Sequence, residues 1–180
     1  MTRRDISVKQ YACSSSRRWA WCKRMILRRA DGVAYLNRLR IIQTPWFGVY
    51  LHRMDAPDPG VDLHDHPWPF ASLVLRGGYH EYRADTRDAV IYADTAQQYW
   101  TCTPGVDNHR RLGSIQSLRL TECHTIHCLD RTPTWTLVFV GRRSRDWGFY
   151  VPSNVGVLGG WIDHQGYDQL GRRQFTYQEG

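Results

Sequence analysis

Short apolar and aromatic runs, each ended within about ten residues by Gly, Pro, Asp or Asn, recur along most of this chain and narrow its fold more than any other feature. The clearest are Phe47 to Met54, Phe70 to Leu75, Cys123 to Leu129, Trp135 to Val140 and Trp147 to Val151. They are rich in β-branched and aromatic residues, which suit a pleated, half-buried surface. Residues 33–43, Tyr79 to Tyr82 and Ser114 to Leu120 read as strands too, with weaker ones at Ala89 to Tyr92 and Gln97 to Cys102. The breaks are turn formers: 55–60 with two prolines and a glycine, Gly77-Gly78, and Pro104-Gly105 running into Val106-Asp107-Asn108. Many short strands with such turns predict an all-β barrel or jelly roll. A chain of 180 residues has room for one such domain with a sizeable core.

Inside this pattern lies His64-Asp65-His66, between a loop ending at Gly60 and the apolar run from Phe70. Side chains on an extended chain alternate between faces, so the two histidines point one way and Asp65 the other. Two imidazoles on one face can supply two ligands to one divalent metal. Asp65 is expected to hold the loop instead, through Arg53.

Gly60, the His64-x-His66 pair and Gly77 or Gly78 resemble the first sequence motif of the cupin superfamily. The string HDHPWPFASLVLRGGYHEY, with TWTLVFVGRRSRDWGF later, is similar to small single-domain cupin-like proteins of bacteria and phages. The resemblance runs from about Tyr35 to Trp161. It implies a single cupin barrel, a double-stranded β-helix or jelly roll, over residues 33–162. A basic segment with a short N-terminal helix (1–32) and a polar tail (163–180) flank it.

The resemblance also implies a third histidine from a later strand. His109, His124 and His127 are the candidates, and the pattern from Arg119 to His127 favours His124. His127 falls on the opposite face of that strand. The usual acid is missing, since Phe70 and Ala71 stand where it is expected. Glu81 is the nearest substitute, either as a fourth ligand or as a base behind a three-histidine set, with His80 its neighbouring competitor. Arg142, Arg143 and Arg145 follow the strand that ends at Gly141, and Arg145 is a candidate for binding a substrate carboxylate or phosphate, or for a structural clamp. The implied cofactor is a divalent metal ion, Fe(II) first, with Mn, Ni or Zn as alternatives. The implied function is a metal-dependent, dioxygenase-like enzyme acting on a small polar molecule. A metal-assisted isomerase or epimerase and a non-catalytic ligand- or nucleic-acid-binding protein are the rivals.

Charge is uneven. Residues 1–45 hold eleven Lys and Arg against two acids, whereas the remainder of the chain is slightly acidic. Residues 17–29 read as a basic amphipathic helix with Trp19, Cys22 and Ile26 on one face, capped by Ser14 to Ser16 and ended by Asp31-Gly32. This is the surface on which nucleic acid binding would rest. Five cysteines without a CxxC pair predict free thiols in a cytoplasmic setting. No apolar run is long enough to span a membrane. A homodimer is expected from the resemblance.

Overall fold

The computed structural model describes residues 19–29, 31–60, 62–85, 91–93, 100–102, 107–151, 160–164 and 175–179. All the described elements are strands: β1 (Ala20–Arg29), β2 (Ala34–Gln43), β3 (Gly48–Met54), β4 (Leu63–His64), β5 (Phe70–Arg76), β6 (Gly78–Asp85), β7 (Ile91–Ala93) and β8 (Trp100–Cys102). There follow β9 (Asn108–Arg111), β10 (Ile115–Leu118), β11 (Glu122–Leu129), β12 (Thr134–Val140), β13 (Gly148–Val151), β14 (Gly160–Asp163) and β15 (Phe175–Glu179).

Two antiparallel sheets carry the architecture. One has the order β10-β5-β12-β3-β2-β1-β15 and the other β14-β13-β4-β11-β6-β9, while β7 and β8 pair as a separate hairpin. The chain crosses from β3 to β4, back to β5, over to β6, and after β9 crosses again through β10, β11 and β12. Eight strands therefore interleave as β10-β5-β12-β3 facing β4-β11-β6-β9. This is the jelly-roll arrangement, the barrel type to which cupins belong.

The core lies between the sheets. Met54 and Val74 of the first pack against Tyr79 of the second, joined by Leu36, Ile126 and Leu129. A second cluster of Tyr50, Val138 and Val140 takes in Trp68 and Phe70. Gly77 makes the β5–β6 turn with a φ of 75°, where a Cβ would also stand 2.5 Å from the Thr134 hydroxyl. Only glycine meets both conditions.

The N-terminal helix expected over residues 17–29 is not formed where the structure describes it. Ala20–Arg29 is a strand that pairs with β2 across the Asp31-Gly32 turn and with β15 on its other edge. A hairpin partner supplies every second backbone group with a hydrogen bond, and this outweighs the helical spacing of Trp19, Cys22 and Ile26. Its arginines are engaged: Arg24 donates to Asn37 Oδ1, Arg28 to the Gly32 carbonyl and Arg29 to the Pro57 carbonyl. Ser14 to Ser16, Arg17, Arg18, Pro104, Gly105 and Val106 lie outside the described residues. Of the cysteines described with their side chains, Cys22 and Cys128 are exposed free thiols, and Cys123 is buried with its Sγ 3.7 Å from the Ala84 carbonyl. No helix among the described residues is long and apolar enough to cross a membrane.

Candidate metal centre

His64, His66 and His124 converge inside the barrel. β4 is only two residues long, and its His64 lies opposite His124 of β11 on one side and Phe149 of β13 on the other. Cross-strand partners share a face, so this register alone aims His64 and His124 at the same space. Alternation then brings His66 to it as well. The three rings form a nearly equilateral triangle, with centroids 5.2, 4.8 and 5.1 Å apart. The Nε2 atoms of His66 and His124 are 3.0 Å apart. Phe70 packs edge-on against His66, with centroids 4.8 Å apart, and Phe149 lies beside His64.

Glu81 sits behind this triangle, not within it. Its side chain is fully buried, and its Oε2 lies 2.9 Å from His124 Nδ1. Its Oε1 accepts a hydrogen bond of 2.8 Å from Arg110 Nε. Burial alone would raise the Glu81 pKa, but the bonds from His124 and Arg110 outweigh it and hold the carboxyl below its usual range. The carboxylate therefore takes the Nδ1 proton of His124 as a hydrogen bond and leaves Nε2 as the lone pair facing His66 and His64. Glu81 thus contacts His124 Nδ1, while the ligand atoms that lie together are those of His64, His66 and His124.

Burial makes the other two imidazoles weak bases. His64 is lowered to about 4, chiefly by desolvation. His66 is lowered well below the ordinary imidazole value by burial first, then by His124 and His64, and then by Arg38 and His52. Both are neutral near pH 7, the form that binds metal. These residues fit a divalent ion. Two nitrogens held at about 2.1 Å from one ion and at right angles stand about 3.0 Å apart. The His66–His124 distance has that value, and the His64 ring completes the same face.

The other candidates lie elsewhere. His109 and His127 are on the outside of the second sheet, where His109 Nε2 meets Asp130 at 2.7 Å and His127 Nε2 meets Asp107 at 3.1 Å. His80 stands between the same two aspartates. His80 and Glu81 thus take opposite faces of β6, with Glu81 inward. Cys123 faces away from His124 and packs with Leu63 and Ala84.

Asp65 points away from the histidines, as alternation requires, but its partner is not Arg53, which pairs with Asp55 two residues on. Asp65 is fully buried and accepts from the Gly148 amide at 2.8 Å, from Trp161 Nε1 at 2.8 Å and from the Arg145 guanidinium. Arg145 is thereby drawn to the outer side of the His64–His66 segment and pins it to β13 and β14. Arg143 pairs with Asp146.

Arg110 and Arg38 escaped sequence reading. Asn108–Arg111 has no apolar alternation and looks like a continuing turn. Only its pairing with β6, which sets Arg110 opposite Tyr79, reveals that Arg110 faces inward.

No protein-family model matches the chain, and no curated protein matches it. Among solved structures, the chain is similar to the hydroxypropylphosphonic acid epoxidase from S. wedmorenis, with 15% identity over 66% of this chain and 55% of that one and a TM-score of 0.43. A crystal structure of the Fe(II) form of that enzyme, HppE, gives 14% identity over 65% of this chain and 56% of that one, with a TM-score of 0.45. KdgF from Halomonas sp. shows 14% identity over 61% of this chain and 82% of that one, with a TM-score of 0.42. The chain spans a little over half the length of the epoxidase it matches. The barrel assignment rests on the strand order above, and the site on the chain's own side chains.

Proposed function

We propose that this protein is a cupin-type, metal-dependent enzyme whose ion is held by His64, His66 and His124. The observation that carries the reading is the joint placement of two Nε2 atoms at 3.0 Å and a buried carboxylate on the Nδ1 of one of them. Two imidazole nitrogens at that distance need a cation or a proton between them. The third ring and the Glu81 contact favour an ion, because a proton shared by two imidazoles requires neither. The metal we favour is Fe(II), with Mn, Ni or Zn also suited to imidazole ligands. Such an ion supplies Lewis-acid chemistry and, as iron, O₂ chemistry at the positions the protein leaves open.

The chain's own groups do the positioning. Glu81 fixes the tautomer and ring angle of His124, and Arg110 fixes Glu81. Both Glu81 oxygens are occupied and its side chain is sealed, so it is poorly placed to carry a proton to and from a substrate. This weakens the isomerase reading and leaves Glu81 a positioning residue. Phe70 and Phe149 wall the site on two sides and restrict water there. Arg145 holds the His64–His66 segment through Asp65 and the His66 carbonyl.

The test is O₂ consumption by the Fe(II)-loaded protein against a panel of small polar compounds, run beside an anaerobic screen. Turnover that requires O₂ supports the oxygenase reading. Equal turnover without O₂ supports an isomerase instead.

A further inference from the structure

The inner face of β2 and β3 carries a positive group that the metal centre does not use. Arg38 lies directly across from His52, and both share a face with Tyr50. The Arg38 Nε donates to His52 Nε2 at 2.9 Å, and its Cζ sits 5.5 Å above the Tyr50 ring. His52 is held neutral, by burial first and then by the Arg38 charge. Among the described residues, then, Arg38 has a neutral imidazole and an aromatic face for partners and no carboxylate. Its two terminal nitrogens make no hydrogen bond to the described residues. A partly buried guanidinium in this state is costly unless an anion completes it.

A short chain of contacts links that fork to the three histidines. Arg38 covers Tyr50, Tyr50 belongs with Val138 and Val140 to the cluster against which Phe70 packs, and Phe70 rests on His66. The pair Nη1 and Nη2 matches two oxygens of one oxyanion. We propose that Arg38 is the anion-recognition residue of this site, and that the substrate is a small molecule whose carboxylate or phosphoryl group docks on Arg38 while its reacting end lies at His64, His66 and His124. The proposal rests on the metal-site reading for where the reacting end lies, but not for the anion itself. Tyr50 and His52 hold the guanidinium in place from beneath.

The experiment uses the full chain loaded with Co(II), titrated calorimetrically with acetate, with inorganic phosphate and with neutral glycerol. Metal content is measured on each sample. We expect one saturable anion site, no glycerol binding, at least tenfold weaker anion binding in Arg38→Gln, and a smaller loss in Arg38→Lys, which keeps the charge without the fork. Metal content should be unchanged in both variants. The preferred anion tells carboxylate from phosphoryl. If Arg38→Gln does not fold, the same comparison is made with Arg38→Lys alone. Equal anion affinity in wild type and variants, or no anion binding by the wild type, overturns the proposal. Arg38-dependent anion binding by a chain that takes up no metal sustains it while sinking the metal reading. Stoichiometric metal with anion binding indifferent to Arg38 does the reverse.

Discussion

Glu81 and His124 are joined by a 2.9 Å contact between Oε2 and Nδ1, deep inside the barrel and on adjacent strands. One end of the imidazole is thereby fixed by a buried carboxylate, and the other is committed to the space shared with His66 and His64. Partners of this kind typically change metal affinity about 10–100-fold when removed. Glu81→Gln should show a loss in that range, measured by competition with a chelator, without abolishing binding. Unchanged affinity would remove Glu81 from the site, and complete loss of metal would make it a ligand.

The same residue supports the fold through Arg110. Taking away one member of a buried ion pair costs about 3–5 kcal/mol, because the other is left uncompensated. Arg110 is partly exposed, so Glu81→Ala should fall toward the lower end in urea unfolding. Replacing Glu81 and Arg110 together should cost less than the sum of the single changes.

Asp65 anchors the histidine segment from its outer side. Asp65→Ala strands the Gly148 amide, the Trp161 indole and the Arg145 charge, and a loss of about 2–5 kcal/mol is expected. Arg145→Ala should also lower stability, with turnover per metal-loaded molecule unchanged. A fall in turnover at full stability would instead place Arg145 at the substrate.

Three partly buried imidazoles set the response to acid. Burial lowers His52, His64 and His66, so the folded protein does not take up their protons as pH drops below about 6.5, whereas the unfolded chain does. The metal-free protein should therefore be fully stable above that pH and weaken on acidification. The slope is up to about 1.4 kcal/mol per pH unit for each ring, and for His64 it continues to about pH 4. His52→Gln should flatten the slope, as read from urea midpoints between pH 7.5 and 5. A flat profile for the wild type would contradict this burial.

Period-two alternation explains what the sequence revealed. It placed His64 and His66 together, turned Asp65 and Cys123 away, and separated His124 from His127, and the extended chain keeps this alternation although β4 ends at His64 and the β11–β6 register shifts between Ile126 and Cys128. Groups whose role depends on a neighbouring strand stayed hidden. Arg110 sits in the polar run Asn108–Arg111 and Arg38 in the mixed stretch Leu36 to Arg40, and neither local pattern signals an inward charge. The strand Ala20–Arg29 has the sequence pattern of a helix because its basic residues blur alternation, while its hydrogen bonds come from β2 and β15. Asp65 found Arg145 eighty residues away in place of Arg53, a partner only the folded chain provides.

The central claim is that His64, His66 and His124 share one ion. The direct measurement is elemental analysis after loading with Fe(II) or Co(II), on the untagged wild type and on His64→Ala, His66→Ala and His124→Ala, with circular dichroism to confirm that each barrel is folded. The account predicts one ion per wild-type chain and little or none in the three variants. Stoichiometric metal that survives all three substitutions, or a folded wild type that takes up none, would contradict it.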